Sequence, residues 1–472
     1  MSSTPVFDLQ PLGVKPFESE REFWDSSSTL KSLYKYAQAC SASPHAVLVC
    51  SLARVCALVP PTIVIPPFVG GSPATLNFAA IVIGESGSGK GLAMGVAKTL
   101  IQFPDTVWTG QPASGEAIPS AYVRYEVEDD TGKADNSEGK KRERNKMCLQ
   151  YSKANAFFDI PEVREFAGNS SRVGSTLVPA FVKLIDGTTK LGCTTKYESN
   201  TLQVPEYGYR AAAVIDVQPA NISDITRHGG TGLPQRFLWT DAHDLNAPEV
   251  ADLPERTAPS KWLPFKASAF NQYACSMHDL NRLLEAGTPD ATLKMENGQH
   301  CYKRHELNYP EGVLESIRQN ARKKLRCEDD AIYGHSQLLV LKLAGIISLF
   351  LQEDKENLLN VTAKNMQQAE WLVRQGVTTL QNGLNTYAQT KNAETYKQEY
   401  EAKGDENKEG IINNVERSII RKLEKSNGQG ETKSGLTRCL DQPVRPALDD
   451  ALADLIKTKR VRLKEKRYYL TK

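Results

Sequence analysis

The sequence predicts an α/β protein built on a mainly parallel sheet, with flanking helical segments and a small helix-and-hairpin domain at its C-terminal end. Three observations carry that expectation. The apolar run Ala79-Ala-Ile-Val-Ile83 ends in Gly84-Glu-Ser-Gly-Ser-Gly89-Lys90 and opens an Ala/Leu/Met-rich stretch, the pattern of buried strand, glycine loop and helix. Two further apolar runs, Asn155-Ala-Phe-Phe-Asp159 and Arg210-Ala-Ala-Ala-Val-Ile-Asp216-Val, follow with an amphipathic helical stretch between them, as parallel strands require. Beyond a charged segment at 391–410, three short amphipathic stretches lead to Val461-Arg-Leu-Lys-Glu-Lys-Arg-Tyr-Tyr-Leu470, which reads as a hairpin.

At 472 residues the chain exceeds one ordinary core. The expected division is a helical collar at 1–60, a core at 61–245, a helical support or lid at 246–390, a linker at 391–410 and a tail domain at 411–472. The net charge is +2, so contact with a polyanion must come from local patches. Nine cysteines stand singly with no CxxC pair, which argues against zinc and for reduced interior thiols. No basic flank with an apolar core opens the chain, and no apolar run approaches a membrane span, so a cytoplasmic protein with no membrane partner is expected.

Glu18 to Leu58 reads as helical with a break at Ser41-Ala-Ser-Pro44, where Ser43 and Pro44 form a helix start. Thr62 to Ile65 reads as a short strand before a Gly/Pro loop. The next segment, Gly84-Glu85-Ser86-Gly87-Ser88-Gly89-Lys90-Gly91-Leu92, is the candidate phosphate cradle. Glycines let successive N–H groups converge on phosphate oxygens, Lys90 reaches the outer phosphates, and the helix end adds partial positive charge. Gly91 stands where the full motif has Ser or Thr for magnesium. A glycine-rich structural turn is the alternative.

Thr106-Val-Trp108 reads as the next strand. Past it, Glu116 is either a water-orienting carboxylate or a first-turn residue of a helix begun by Ser114. Glu126 to Lys146 is too polar to build a core and reads as an exposed hairpin or mobile loop. Asp159 and Glu162, at the end of an aromatic strand, are the candidate metal-side and water-orienting carboxylates, though Asp159 also suits a turn cap. Leu177 to Ile185 reads as a helix. The two Thr-Thr-Lys arms after it put Lys190 and Lys196 on a small hairpin, as phosphate contacts or as solvated charges. Gln218 ends a buried strand where a terminal phosphate could be sensed, and strand-end hydrogen bonding is the plainer role. Arg236 follows a glycine-rich loop at the head of Phe-Leu-Trp239, placed to act across a subunit boundary.

Together, Ser114-Gly-Glu116, the Phe-Phe-Asp-Ile-Pro-Glu162-Val-Arg-Glu-Phe segment, the strand ending in Gln218 and Gly-Leu-Pro-Gln-Arg236-Phe-Leu-Trp resemble a family of RecA-like P-loop ATPases. That family occurs in phages, plasmids and other mobile elements and often stands beside primase domains. The resemblance spans roughly 44–351. It implies ATP and Mg2+ as ligands, helicase activity on single-stranded or forked DNA and an oligomeric ring, possibly a hexamer. Lys90, Glu162 and Arg236 fall on the family's phosphate-binding, acidic and arginine positions. This chain departs from the pattern at Gly91 and has no primase module, which would make priming the work of a separate protein.

Helical segments are expected at 267–285, 312–326, 337–351 and 365–386. In the tail, three helices and a hairpin resemble a winged helix. From Ile411 onward there are fifteen Lys/Arg and eight Asp/Glu, so 15 − 8 leaves +7 there. Arg438, Arg445, Arg460, Arg462, Lys464, Lys466 and Arg467 are the candidate DNA contacts. A protein-binding winged helix is the competing reading. Other functions the sequence leaves open are a helicase loader or regulatory ATPase, and a sequence-specific DNA-binding initiator.

Overall fold

The computed structural model describes residues 14–68, 71–127, 147–164, 166, 176–192, 202–228, 232–286, 302–326, 336–402, 405–426 and 428–471. It divides into two compact units, Met1–Gly383 and Leu384–Lys472.

The first unit opens with α1 (Glu20–Asp25), α2 (Ser28–Ala39) and α3 (Pro44–Leu58). Each starts on a serine whose hydroxyl accepts from a first-turn N–H: Ser19, Ser27 and Ser43. Strands β1 (Ile63–Ile65) and β2 (Ala74–Thr75) lead to β3 (Phe78–Ile83), then α4 (Lys90–Leu100) and β4 (Val107–Gly110). An antiparallel pair, β5 (Val123–Val127) and β6 (Met147–Tyr151), flanks the polar stretch at 128–146, which lies outside the described residues. Next come β7 (Asn155–Ile160), α5 (Leu177–Asp186), β8 (Arg210–Val217), the short α6 (Ser223–Thr226) and β9 (Phe237–Asp241). Then follow α7 (Met277–Ala286), β10 (His305–Glu306), α8 (Val313–Leu325), α9 (Ser336–Leu351) and α10 (Ala363–Glu401).

Five strands form one all-parallel sheet in the order β4-β7-β8-β3-β9. The expectation of an α/β protein with a mainly parallel sheet is met. The expected short strand after Thr62 forms as β1 and belongs to a separate sheet, β10-β1-β2. Alternation sorts the large sheet's side chains onto two faces. Phe78, Ala80, Val82, Phe157, Ala212, Val214 and Leu238 share a core with α3, α4 and α9. On the other face Phe181 of α5 meets Phe158 and Phe237, with ring centroids 6.4 and 6.3 Å apart.

Helix α3 is buried on nearly every side and packs on α4, β3, β7, β8 and β9, so the stretch expected to form a collar is a layer of the core. Burying each of its Val and Leu side chains contributes roughly 1.5–3 kcal/mol. At the sheet's amino edge Arg210 is fully buried and donates to the carbonyls of Val59 (3.2 Å), Pro60 (2.9 Å) and Ile63 (2.6 Å) and to Asn77 Oδ1 (3.1 Å). This fastens the turn after α3 to the sheet. Edge strand β9 is covered by α10, where a Cβ on Gly376 would come 2.9 Å from the Trp239 carbonyl oxygen.

Helix α10 continues to Glu401, through half of the expected linker, and the second unit begins at Leu384 rather than 411. That unit holds α11 (Asp405–Lys425), β11 (Glu431–Thr432), α12 (Lys433–Arg438), α13 (Leu448–Lys457), β12 (Val461–Lys464) and β13 (Arg467–Leu470). The three strands form an antiparallel sheet in the order β11-β13-β12, over a core that includes Ile419, Leu436, Leu452 and Leu455. Strand β11 has two residues, too few for an alternation signal in the sequence. Among the described residues, no single helix is long and apolar enough to cross a membrane.

Candidate functional site

Ligands of open parallel sheets sit beyond the carboxyl ends of the strands, where neighbouring connections diverge. Here β3 is that strand: its own connection leads by α4 to the far edge at β4, while β8 crosses to β9 on the other side. The loop Gly84 to Lys90 leaves β3 at this point. Gly84 N–H donates to the Val217 carbonyl (3.0 Å), and Ala242 N–H donates to the Ile83 carbonyl (2.8 Å), so both neighbouring strands clamp its root.

A side chain at Gly84 would meet Ser88 Oγ at 2.3 Å and Ala242 Cβ at 3.0 Å. Gly87 and Gly89 take φ of 80° and 93°, the left-handed region where an L side chain is strained. Gly89 precedes α4 and supplies no capping side chain, which leaves the first N–H groups of the helix for a ligand. Ser88 Oγ is buried without a hydrogen-bond partner. Lys90 Nζ donates to the carbonyls of Gly84 (2.7 Å) and Glu85 (2.8 Å), which folds the ammonium over the loop. Glu85, Ser86 and Leu92 are exposed beside it. A Cβ on Gly91 would touch nothing within 4 Å, so what is missing there is a hydroxyl, not room for one.

Sequence reasoning does not single out Asp216, which the fold brings onto the strand beside this loop, within electrostatic reach of Lys90. It lies on β8 opposite Val82 of β3, one residue before the strand's end. Asp159, on the next strand out, is opposite Val214, so the two carboxylates share the face that carries α4. Burial pushes the Asp216 carboxyl up to about 7; Lys90 opposes the shift, and the charges of Asp159 and Glu162 add to it. Lys98 of α4 pairs with Asp159 (2.9 Å). The signal in the sequence was a lone acid in an otherwise apolar strand, two residues before Gln218. Among the described residues, no three His, Cys, Asp or Glu side chains group to hold a metal. A magnesium ion fits this edge only as Mg2+ is commonly held, by one or two carboxylates together with substrate phosphates.

Gln218 follows β8 immediately and sits half-buried beside the root of the loop. Glu116 lies beyond the edge strand β4, three strands from β3, where its Oε1 accepts from the Thr176 hydroxyl (2.5 Å). That bond, with its own N–H and Ser114, holds the carboxyl below its usual range. Ser114 Oγ accepts from Ala117 N–H (3.3 Å), but it caps a turn rather than a helix: the short helix that follows begins at Ile118 and has no side-chain cap.

Arg236 and Lys190 lie at the opposite edge. Arg236 precedes β9 at its amino end, roughly 20 Å along the strands from the loop. Its guanidinium is bidentate on Asp186, Nε to Oδ1 at 3.0 Å and Nη2 to Oδ2 at 3.3 Å, and Nη1 donates to the Gly232 carbonyl (2.9 Å). Lys190 is exposed just after α5, and the neighbouring Leu191, expected at the hairpin's turn, forms an antiparallel bridge with Val204, which lies outside both Thr-Thr-Lys arms. Lys196 lies outside the described residues.

In the second unit Arg462, Lys464, Lys466 and Arg467 are exposed on the β12–β13 hairpin. Arg438 is exposed and donates to Ser434 Oγ (3.2 Å), and Arg460 pairs with Glu416 (3.1 Å). Arg445 is half-buried and donates to the Leu440 carbonyl (3.1 Å), a structural bond. Compared with models of known protein families and with curated proteins, the sequence matches none.

Proposed function

We propose that this chain is a RecA-like P-loop ATPase that acts on DNA, with a winged-helix tail, and that it works as an oligomeric ring in the manner of a mobile-element helicase. One observation carries the reading. The glycine loop with Lys90 stands at the carboxyl edge of a parallel sheet, with Asp216 and Asp159 on the next two strands and on the face of the helix the loop opens. In this reading the loop N–H groups and Lys90 take the phosphates of ATP, Asp216 and Asp159 flank Mg2+, and Glu162 orients water. Gln218 lies beside the terminal phosphate. The tail's strand order and +7 charge support a nucleic-acid partner.

The test is ATP turnover with and without single-stranded DNA, alongside mass in solution. Lys90→Ala should cut turnover at least ~100-fold while DNA affinity of the tail is kept. Turnover that survives this change would end the ATPase assignment.

A second reading, a helicase loader or regulatory ATPase, is favoured by the engagement of Arg236 with Asp186. Arg236 serves a neighbouring site only in a state where that pair has opened. A loader would bind and hydrolyse ATP yet displace no strand from a forked substrate.

A further inference from the structure

Charge in the second unit is divided between two surfaces of opposite sign. Between Lys457 and Arg467 there are seven Lys or Arg and one Glu. The register of the hairpin pairs Arg462 with Tyr469 and Lys464 with Arg467, so these four share one face. Val461, Leu463, Tyr468 and Leu470 take the other; Val461 belongs to the core, and Tyr468 and Leu470 pack against it. Glu465 and Lys466 form the turn with φ of 49° and 61°, which puts Lys466 at the tip. The Arg462 guanidinium stands 6.0 Å from the Tyr469 ring centroid. Tyr469 in turn rests on Gly430, where a Cβ would come within 2.5 Å of the ring. The cationic face therefore has a fixed floor.

Helix α13 has the opposite character. It buries Leu448, Ala451, Leu452 and Leu455 and exposes Asp449, Asp450 and Asp454 against a single Lys457. Asp449 holds the Lys433 ammonium (2.5 Å), and Asp450 accepts from the Tyr400 hydroxyl (2.8 Å). A helix that enters the major groove brings donors to base edges and tolerates the phosphates on either side. Three exposed carboxylates on α13 do neither.

We infer that the β12–β13 hairpin, and not α13, is the nucleic-acid contact of the tail, and that it grips the phosphate backbone without reading sequence. The inference rests on the reading that this chain's partner is DNA, and it adds the element, the mode and the lack of sequence choice. Arg462, Lys464, Lys466 and Arg467 together reach about four phosphates, which corresponds to a slope of roughly −3 to −4 in log affinity against log salt.

The experiment uses the full chain and labelled oligonucleotides of two unrelated sequences, single-stranded and duplex, in a salt series. The triple variant R462E/K464E/R467E should weaken binding by about tenfold or more and flatten the salt slope. The milder K464Q/K466Q, at two exposed positions, should give a smaller loss of the same kind with an unchanged melting curve. D449N/D450N/D454N should bind as the wild type or more tightly, and the two sequences should bind alike. The inference is overturned if the charge-reversed hairpin binds DNA normally, if the Asp-to-Asn helix loses binding, or if one sequence is strongly preferred. Turnover without DNA should be the same in all these variants. Loss of the ATPase reading at Lys90 leaves this inference standing, and normal DNA binding by the hairpin variants leaves the ATPase reading standing.

Discussion

Arg236 and Asp186 meet through two parallel hydrogen bonds, 3.0 and 3.3 Å long, at the amino edge of the sheet, the end away from the glycine loop. The pair ties the end of α5 to the start of β9. The two side chains are 15% and 32% exposed, so the charges are partly shielded from water and their geometry is bidentate.

Removing either partner should therefore destabilise the first unit. Arg236→Gln and Asp186→Asn are each expected to lose about 1.5–3 kcal/mol in urea unfolding, with the double variant losing less than the sum. Turnover measured where both variants are folded then separates the two functional readings. A loss confined to Arg236→Gln supports action in a neighbour's site, and equal turnover supports the loader.

Asp216 gives a pH dependence. Its folded carboxyl keeps its proton to about pH 7, whereas the unfolded group loses it near 3.8. Between those values the native state binds more protons than the unfolded state, so this group's contribution to stability falls as pH rises from about 4 to about 7 and is level above. Asp216→Asn should gain on the wild type across that window, to a plateau of up to about 4 kcal/mol, while its turnover falls. Urea midpoints over a pH series check it; a difference that does not change with pH would contradict the assignment.

The glycines of the loop are not equivalent. Gly84→Ala drives a methyl into Ser88 and Ala242 and should lower both nucleotide affinity and stability, the latter by about 1–3 kcal/mol. Gly91→Ser meets open space in the first turn of α4 and should leave the fold as stable or a few tenths of a kcal/mol more so. It also restores a hydroxyl for magnesium, so the Mg2+ concentration needed for half-maximal turnover should fall. Parallel nucleotide titrations and melting curves of the two variants test both statements.

Arg210 holds the turn after α3 through three backbone carbonyls. Arg210→Met leaves those acceptors buried without donors and should cost about 3 kcal/mol or more. Native-state hydrogen exchange should show α3 loosened first, because the lost bonds lie at its C-terminal end.

Much of the core could be read from residue order. The apolar runs at 79–83, 155–159 and 210–217 become strands β3, β7 and β8, and the Ser43-Pro44 start of α3 is found where capping chemistry puts it. The loop was legible because it is local: glycines, a lysine and the helix that follows lie within a dozen residues. Asp216 was not. An acid inside a strand acquires meaning only from the strands beside it, and β3 lies well over a hundred residues earlier in the chain. At 391–401 charged side chains left a helical and a flexible linker equally open, and the helix α10 runs through it.

Periodicity, capping and glycine placement thus settled by themselves which segments become strands and helices and where an anion could be cradled, because those preferences act between residues a few positions apart. Strand order decided the rest: it set Asp216 beside Lys90, carried Arg236 to the far edge and made α3 part of the core. Such pairings depend on which faces can be buried together, a property of the assembled layers that no single stretch of chain contains.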